Sequence, residues 1–164
     1  MSRVPERQGA LAAEVIRACR ARLVTVATAE SITAGLVAAT LAEVPGCSAV
    51  LRGGVVAYAT EVKARVLGLP NALLEHVVSQ EVAVDMAIAT TGLLQATLGV
   101  STTGVAGPDW LDGQPPGTAW IAVHDCRGPG RTMSEQVRAE GDRAAVRAEV
   151  VRASLALLLR ACAE

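Results

Sequence analysis

Phenylalanine is absent from this chain, and tryptophan and tyrosine together supply only 2% of its 164 residues. Yet 51% of the residues are hydrophobic, so the interior has to be filled by alanine, valine and leucine. Small side chains reach native packing density only when the backbones carrying them approach closely, which favours helices laid tightly on a sheet. The length suits one domain with a real core and is too short for two comfortable ones. With 19% charged residues the chain is expected to fold rather than stay disordered.

Periodicity along the chain agrees with that constraint. Leu11, Val15 and Cys19 recur at helical spacing between about Gln8 and Arg22. The run from Leu23 to Ala27 reads as a buried strand, and the small apolar residues from Thr33 to about Glu43 as a helix ended by Pro45-Gly46. Gly53 to Ala59 predicts a second strand, after which Thr60 is placed to cap a short helix carrying Glu61 and Lys63. Ser79 opens a helix with Val82, Met86, Ala89 and Leu93 on one stripe. Strands are predicted at Leu98–Thr102, Thr118–Val123 and Met133–Arg138. Asp142 caps a last helix that turns Arg143, Arg147 and Arg152 largely outward. Gly92 and Gly99 read as helix-end and turn residues. This alternation predicts a single three-layer α/β/α domain with a central mixed sheet.

The formal net charge is −1, with no basic block and no aromatic ladder, so a nucleic-acid surface is not expected. Cys19, Cys47, Cys126 and Cys162 are scattered, without metal-ligand spacing, and read as reduced core residues. His76 and His124 are isolated, so no metal site is expected. No apolar leader or membrane-length segment is visible, and the expected location is the cytoplasm.

Lys63 is the only lysine among 15 basic residues, and Tyr58, five positions before it, is the only tyrosine. A guanidinium stays charged at any working pH, whereas a buried ammonium can shed its proton and act as a base. A lysine retained in an arginine-dominated chain is therefore a candidate for proton transfer, although a lone lysine also falls readily on a solvated surface.

Three further segments have the residue types for chemistry. Thr28-Ala29-Glu30-Ser31-Ile32-Thr33-Ala34-Gly35 lies between a predicted strand and a helix, where a serine projects near backbone N–H groups or simply caps the helix. Ser101-Thr102-Thr103-Gly104-Val105-Ala106-Gly107-Pro108 runs from a strand into a glycine-rich turn, open to a ligand or merely tight. Gly141-Asp142-Arg143 places an arginine in a helix's first turn, against the dipole, as either an anion clamp or a solvated side chain.

Taken in order with Arg52-Gly53, Leu67-Gly68 and Gly117-Thr118-Ala119-Trp120, these motifs resemble the CinA C-terminal domain family of nicotinamide-nucleotide amidohydrolases. The resemblance runs from about residue 8 to 160. It implies an α/β fold, usually dimeric, that deamidates nicotinamide mononucleotide to nicotinate mononucleotide and ammonia without a metal or organic cofactor. By matching positions, it implies Ser31 as nucleophile, Lys63 as its base and Tyr58 in their hydrogen-bonding network. Glu30, Thr33, Gly35, Arg52, Thr103, Gly104, Gly107 and Arg143 are the positions it implies for substrate binding. The chain departs from the family pattern at Ile32 and Ala34, and at Asp109-Trp110-Leu111 where family members mostly carry glycines. Trp110 is placed either to stack on the substrate ring or to fill the mouth of the site. The rival expectation, favoured by that departure, is a non-catalytic nucleotide-binding or dimerisation module on the same scaffold.

Overall fold

In the computed structural model, which describes residues 6–163, helices and strands alternate as the periodicity predicts. The helices are α1 (Glu6–Ala21), α2 (Leu36–Ala42), α3 (Thr60–Leu67), α4 (Gln80–Leu94) and α5 (Arg143–Ala163). The strands are β1 (Val26–Glu30), β2 (Leu51–Val56), β3 (Leu98–Gly104), β4 (Thr118–Asp125) and β5 (Arg131–Arg138). They form one mixed sheet in the order β2-β1-β3-β4-β5. β1 pairs in parallel with β2 and β3, while β4 and β5 complete the sheet antiparallel.

The two faces of the sheet are filled differently. Helices α1, α2 and α5 cover one face, where Val15, Ile16, Leu41, Leu98, Ile121, Leu155 and Leu158 make the larger core. Helices α3 and α4 cover the other, where two smaller clusters form, one of Ala29, Leu67, Val82 and Met86 and one of Ala83, Ala87 and Ala122. Gly99 lies inside β3, because any side chain there would strike the backbone of α4 at Ala87. It is a packing glycine and not the turn residue expected from the sequence, whereas Gly92 lies in the last turn of α4, at the helix end as expected. The buried face of α4 contains Thr90 and Thr91, whereas Leu93, expected in its stripe, is half exposed. Close approach of small side chains is thus how the chain does without phenylalanine.

Several boundaries move, each for a local reason. The strand expected over Leu23–Ala27 begins at Val26, because Leu23 turns left-handed (φ 57) and Val24 N–H bonds back to Cys19 O. That shift extends β1 to Glu30 and leaves Ser31 as the first residue beyond the sheet. The helix expected from Thr33 starts only at Leu36, since Ala34 (φ 50) and Gly35 (φ 94) are both left-handed. Ala59, not Thr60, is the cap residue of α3. Ser79 does cap α4, accepting from Val82 N–H, and Asp142 accepts from Ala145 N–H at the start of α5. Of the cysteines, Cys19 and Cys162 are buried together between α1 and α5, whereas Cys126 is exposed and not in the core. No helix among the described residues is long and apolar enough to cross a membrane.

Candidate active site

Strands β1, β2 and β3 are parallel, so their carboxyl ends, Glu30, Val56 and Gly104, finish at one edge of the sheet. Ligands of open α/β sheets bind outside such an edge. A cleft of about 320 Å³ lies there, lined among others by Ser31, Tyr58, Lys63, Thr103, Gly104, Gly107, Trp110 and Arg143. Residues separated by more than a hundred positions converge because each follows a strand that ends at this edge. A second cavity of about 440 Å³ lies at the opposite edge under the β4–β5 turn, where Arg127 is paired with Asp125.

Lys63 is 1% exposed, although it is the residue type least often buried. Its Nζ lies 3.0 Å from Ser31 Oγ and donates to the carbonyl oxygens of Ala57 at 2.8 Å and Tyr58 at 3.3 Å. Removal from water disfavours the ammonium and lowers the Lys63 pKa to about 8, against a smaller opposing pull from the Glu61 carboxylate. Glu61 is exposed and forms no hydrogen bond with the amine. The amine therefore has two carbonyl acceptors and one hydroxyl neighbour. A neutral amine that gives its two N–H groups to those carbonyls keeps its lone pair for Ser31.

The loop holding Ser31 is fixed from three sides. Ser31 N–H donates to Thr102 O, continuing the β1–β3 pairing by one residue. The Glu30 side chain is buried, and its Oε2 accepts from Thr33 Oγ1 at 2.6 Å and from Gly35 and Val37 N–H at 3.0 Å each. Its Oε1 accepts from Ala38 N–H at 2.9 Å. A carboxylate at a helix N-terminus satisfies donors that the helix leaves unpaired and complements the dipole. Glu30 thus caps α2 from the preceding strand, and its side chain faces away from the cleft lining. Thr33 is fully buried, bonded to Glu30 and to Thr102 Oγ1, and Gly35 supplies the left-handed residue before α2. Expected at the substrate, these three instead shape the turn that presents Ser31.

Arg147 forms the third restraint, and the sequence reading missed it. It is half-buried rather than outward, donating through Nε to Ile32 O at 3.1 Å and through Nη2 to Thr33 O at 2.9 Å. The available signal was its spacing: four residues after Arg143, it lies on the same side of α5. Arg52 is placed far from the cleft. It stands at the start of β2, and its Nε donates to Leu94 O at the opposite edge of the sheet.

The other walls are made by Tyr58, Arg143 and the β3–β4 connection. Arg143 donates to Tyr58 Oη at 2.7 Å and to Gly107 O at 2.8 Å, joining two loops across the mouth. Gly107 is left-handed (φ 87), and a side chain there would meet Pro116. Thr103 Oγ1 donates to Val77 O at 2.6 Å, so the hydroxyl oxygen remains available as an acceptor. Asp109, Trp110 and Leu111 stand exposed at the rim. Among the described residues no group of three or more His, Cys, Asp or Glu side chains is placed to hold a metal ion.

Comparison with known proteins supplies the context for this arrangement. The CinA C-terminal domain matches residues 8–162. A CinA-like protein from Frankia casuarinae is 47% identical over 141 residues, covering 85% of this chain and 32% of its own length. The chain spans about a third of the length of the curated relatives it matches. Among solved structures, competence damage-inducible protein A from Klebsiella pneumoniae shares 34% identity and a TM-score of 0.90, over 96% of this chain and 98% of that one. A competence/damage inducible protein from Agrobacterium tumefaciens shares 31% identity and a TM-score of 0.92 over the whole of both chains.

Proposed function

The chain belongs to the CinA C-terminal domain family, and on that premise we propose that it hydrolyses the amide of nicotinamide mononucleotide to nicotinate mononucleotide and ammonia. One observation carries the reading: a lysine withdrawn from water, with no carboxylate bound to it, 3.0 Å from a serine hydroxyl at the carboxyl edge of the sheet. Ion-paired structural lysines are charged and stay so; burial brings this one down to about 8, so that a fraction of it is neutral near neutral pH.

The chemistry follows from those positions. Neutral Lys63 takes the proton of Ser31 Oγ as the oxygen attacks the carboxamide carbon. The backbone N–H of Ile32, next to the nucleophile and without a protein acceptor among the described residues, is assigned to the developing oxyanion. As the C–N bond breaks, the Lys63 ammonium returns its proton to the departing nitrogen, which leaves as ammonia. Water then attacks the ester, Lys63 takes its proton, and Ser31 is re-formed with release of the nicotinate product. Arg143, at the rim, is assigned to an anionic group of the nucleotide, and it would exchange its present carbonyl and phenol partners for that group. A homodimer is part of the same proposal and is read by light scattering.

The exposed Asp109-Trp110-Leu111 rim favours a second reading, a module that binds a nucleotide without turning it over. Ammonia release from nicotinamide mononucleotide separates the two. Steady release that disappears in Ser31→Ala is the expected result; binding without release in the wild-type protein sinks the hydrolase.

A further inference from the structure

Tyr58, Trp110 and Trp120 are the only tyrosine and tryptophan side chains of this chain, and it has no phenylalanine. Two of the three line the same cleft. Both are left largely in water, Tyr58 54% exposed and Trp110 67%. An indole is the largest apolar side chain available, and burying it would supply a core that otherwise has to be built from alanine and valine. The fold leaves this one at the rim.

The backbone around Trp110 is held on both sides. Upstream, Gly107 O accepts from Arg143 Nη1. Downstream, Asp112 Oδ2 accepts from Val78 N–H at 3.0 Å, and Leu111 and Gln114 exchange backbone hydrogen bonds. The indole is therefore offered from an anchored loop, and the Asp109 carboxylate stands beside it on the same rim. An aromatic face attracts a cation through its quadrupole, and a carboxylate at its side adds to that attraction. A neutral ring gains only the stacking part.

We infer that Asp109 and Trp110 form a recognition subsite for a flat, positively charged heteroaromatic ring. The inference rests on the amidohydrolase reading in one respect: the ring held there bears the amide that Ser31 attacks. It assigns to two residues outside the family pattern the choice between the oxidised, cationic pyridinium ring and its reduced, neutral dihydropyridine form.

The test uses the Ser31→Ala protein, in which turnover does not obscure binding. Nicotinamide mononucleotide and its reduced form are titrated calorimetrically into this parent, and then into versions that also carry Trp110→Leu or Asp109→Asn. Leucine keeps apolar bulk and removes the π face; asparagine keeps shape and removes charge. The parent is expected to prefer the cationic ring by about tenfold, the range of a partly desolvated cation–π contact with a carboxylate beside it. Trp110→Leu should erase most of that preference, and Asp109→Asn part of it, with melting temperatures unchanged. Equal affinity for the two forms, undetectable binding of both, or a preference that survives Trp110→Leu overturns the subsite. So does a change of oligomeric state in Trp110→Leu with ring affinity intact, which would make the rim a protein contact. Ammonia release by the wild-type protein is scored separately. A Trp110-dependent preference without release defeats the hydrolase and leaves the subsite standing, and release indifferent to Trp110 does the reverse.

Discussion

The loop after β1 and the loop after β3 face the same cleft but are built on opposite principles. The first is short and largely buried, with nearly every polar group committed: Glu30 holds three backbone N–H groups, Arg147 holds two carbonyls, and Ser31 N–H continues the sheet. The second is long and rich in proline and glycine, anchored at a few points with Trp110 exposed between them. Reacting atoms need positions fixed to a fraction of an ångström, which fully satisfied buried groups provide. Recognition tolerates looser geometry and gains from exposure. Changes in the β1 loop and its lysine should therefore damage chemistry or stability, and changes in the β3 loop should alter ligand choice alone.

The largest expected effect lies at the Ser31–Lys63 pair. Lys63→Arg keeps the charge but removes the group that sheds a proton, and deamidation should fall by about 10²–10⁴. Ser31→Ala should cost at least as much, and the double variant little more than Ser31→Ala, because the two act as a unit. Ammonia release near the wild-type rate in a folded Lys63→Arg protein would put chemistry elsewhere and erase the contrast between the loops.

Next in size is pH. Lys63 must be neutral to act, so kcat/KM should rise about tenfold per unit up to its pKa of about 8 and then level off. Stability carries the same signature. The folded pKa lies below the ordinary 10.5, so between about 8 and 10.5 the unfolded chain binds more protons and stability rises with pH. A Lys63→Met protein should lack both features. A flat pH–rate profile between 6 and 9 in the wild type counts against a neutral lysine base.

Glu30→Gln should come third. An amide NH₂ facing the Ala38 N–H and the loss of charge at the α2 N-terminus cost about 2 kcal/mol, or about 6 °C in melting temperature. An unchanged melting temperature would mean that Glu30 is not the structural cap its bonds describe. Trp110→Leu should be the smallest in this respect. As an exposed substitution it should shift stability by no more than about 0.5 kcal/mol, so a large thermal shift would make the β3 loop structural after all.

The order of motifs identified the family, and the alternation of periodicities identified the three layers. Both are local signals, carried by neighbours in sequence. The candidate nucleophile and base were legible for a related reason: a lone lysine among arginines and a serine between strand and helix stand out without any structure. Misreadings arose where a residue's role is set by distant partners. Glu30 sits beside Ser31 in the motif, which points it to the substrate, yet its carboxylate turns toward α2. Arg52 shares a motif-rich segment but stands near the start of its strand, which puts it at the edge of the sheet opposite the cleft. Arg147 looked like another outward arginine of α5, because nothing local shows that Ile32 and Thr33 lie beneath it.

What the sequence by itself determined is the class of fold, the absence of an aromatic core, and which two side chains are candidates for nucleophile and base. Only the tertiary structure decided that they meet. The low pKa of Lys63 comes from its burial beneath the carbonyls of Ala57 and Tyr58 and against the Ser31 loop. Desolvation is a property of everything packed around a group, so no window of sequence around Lys63 contains it.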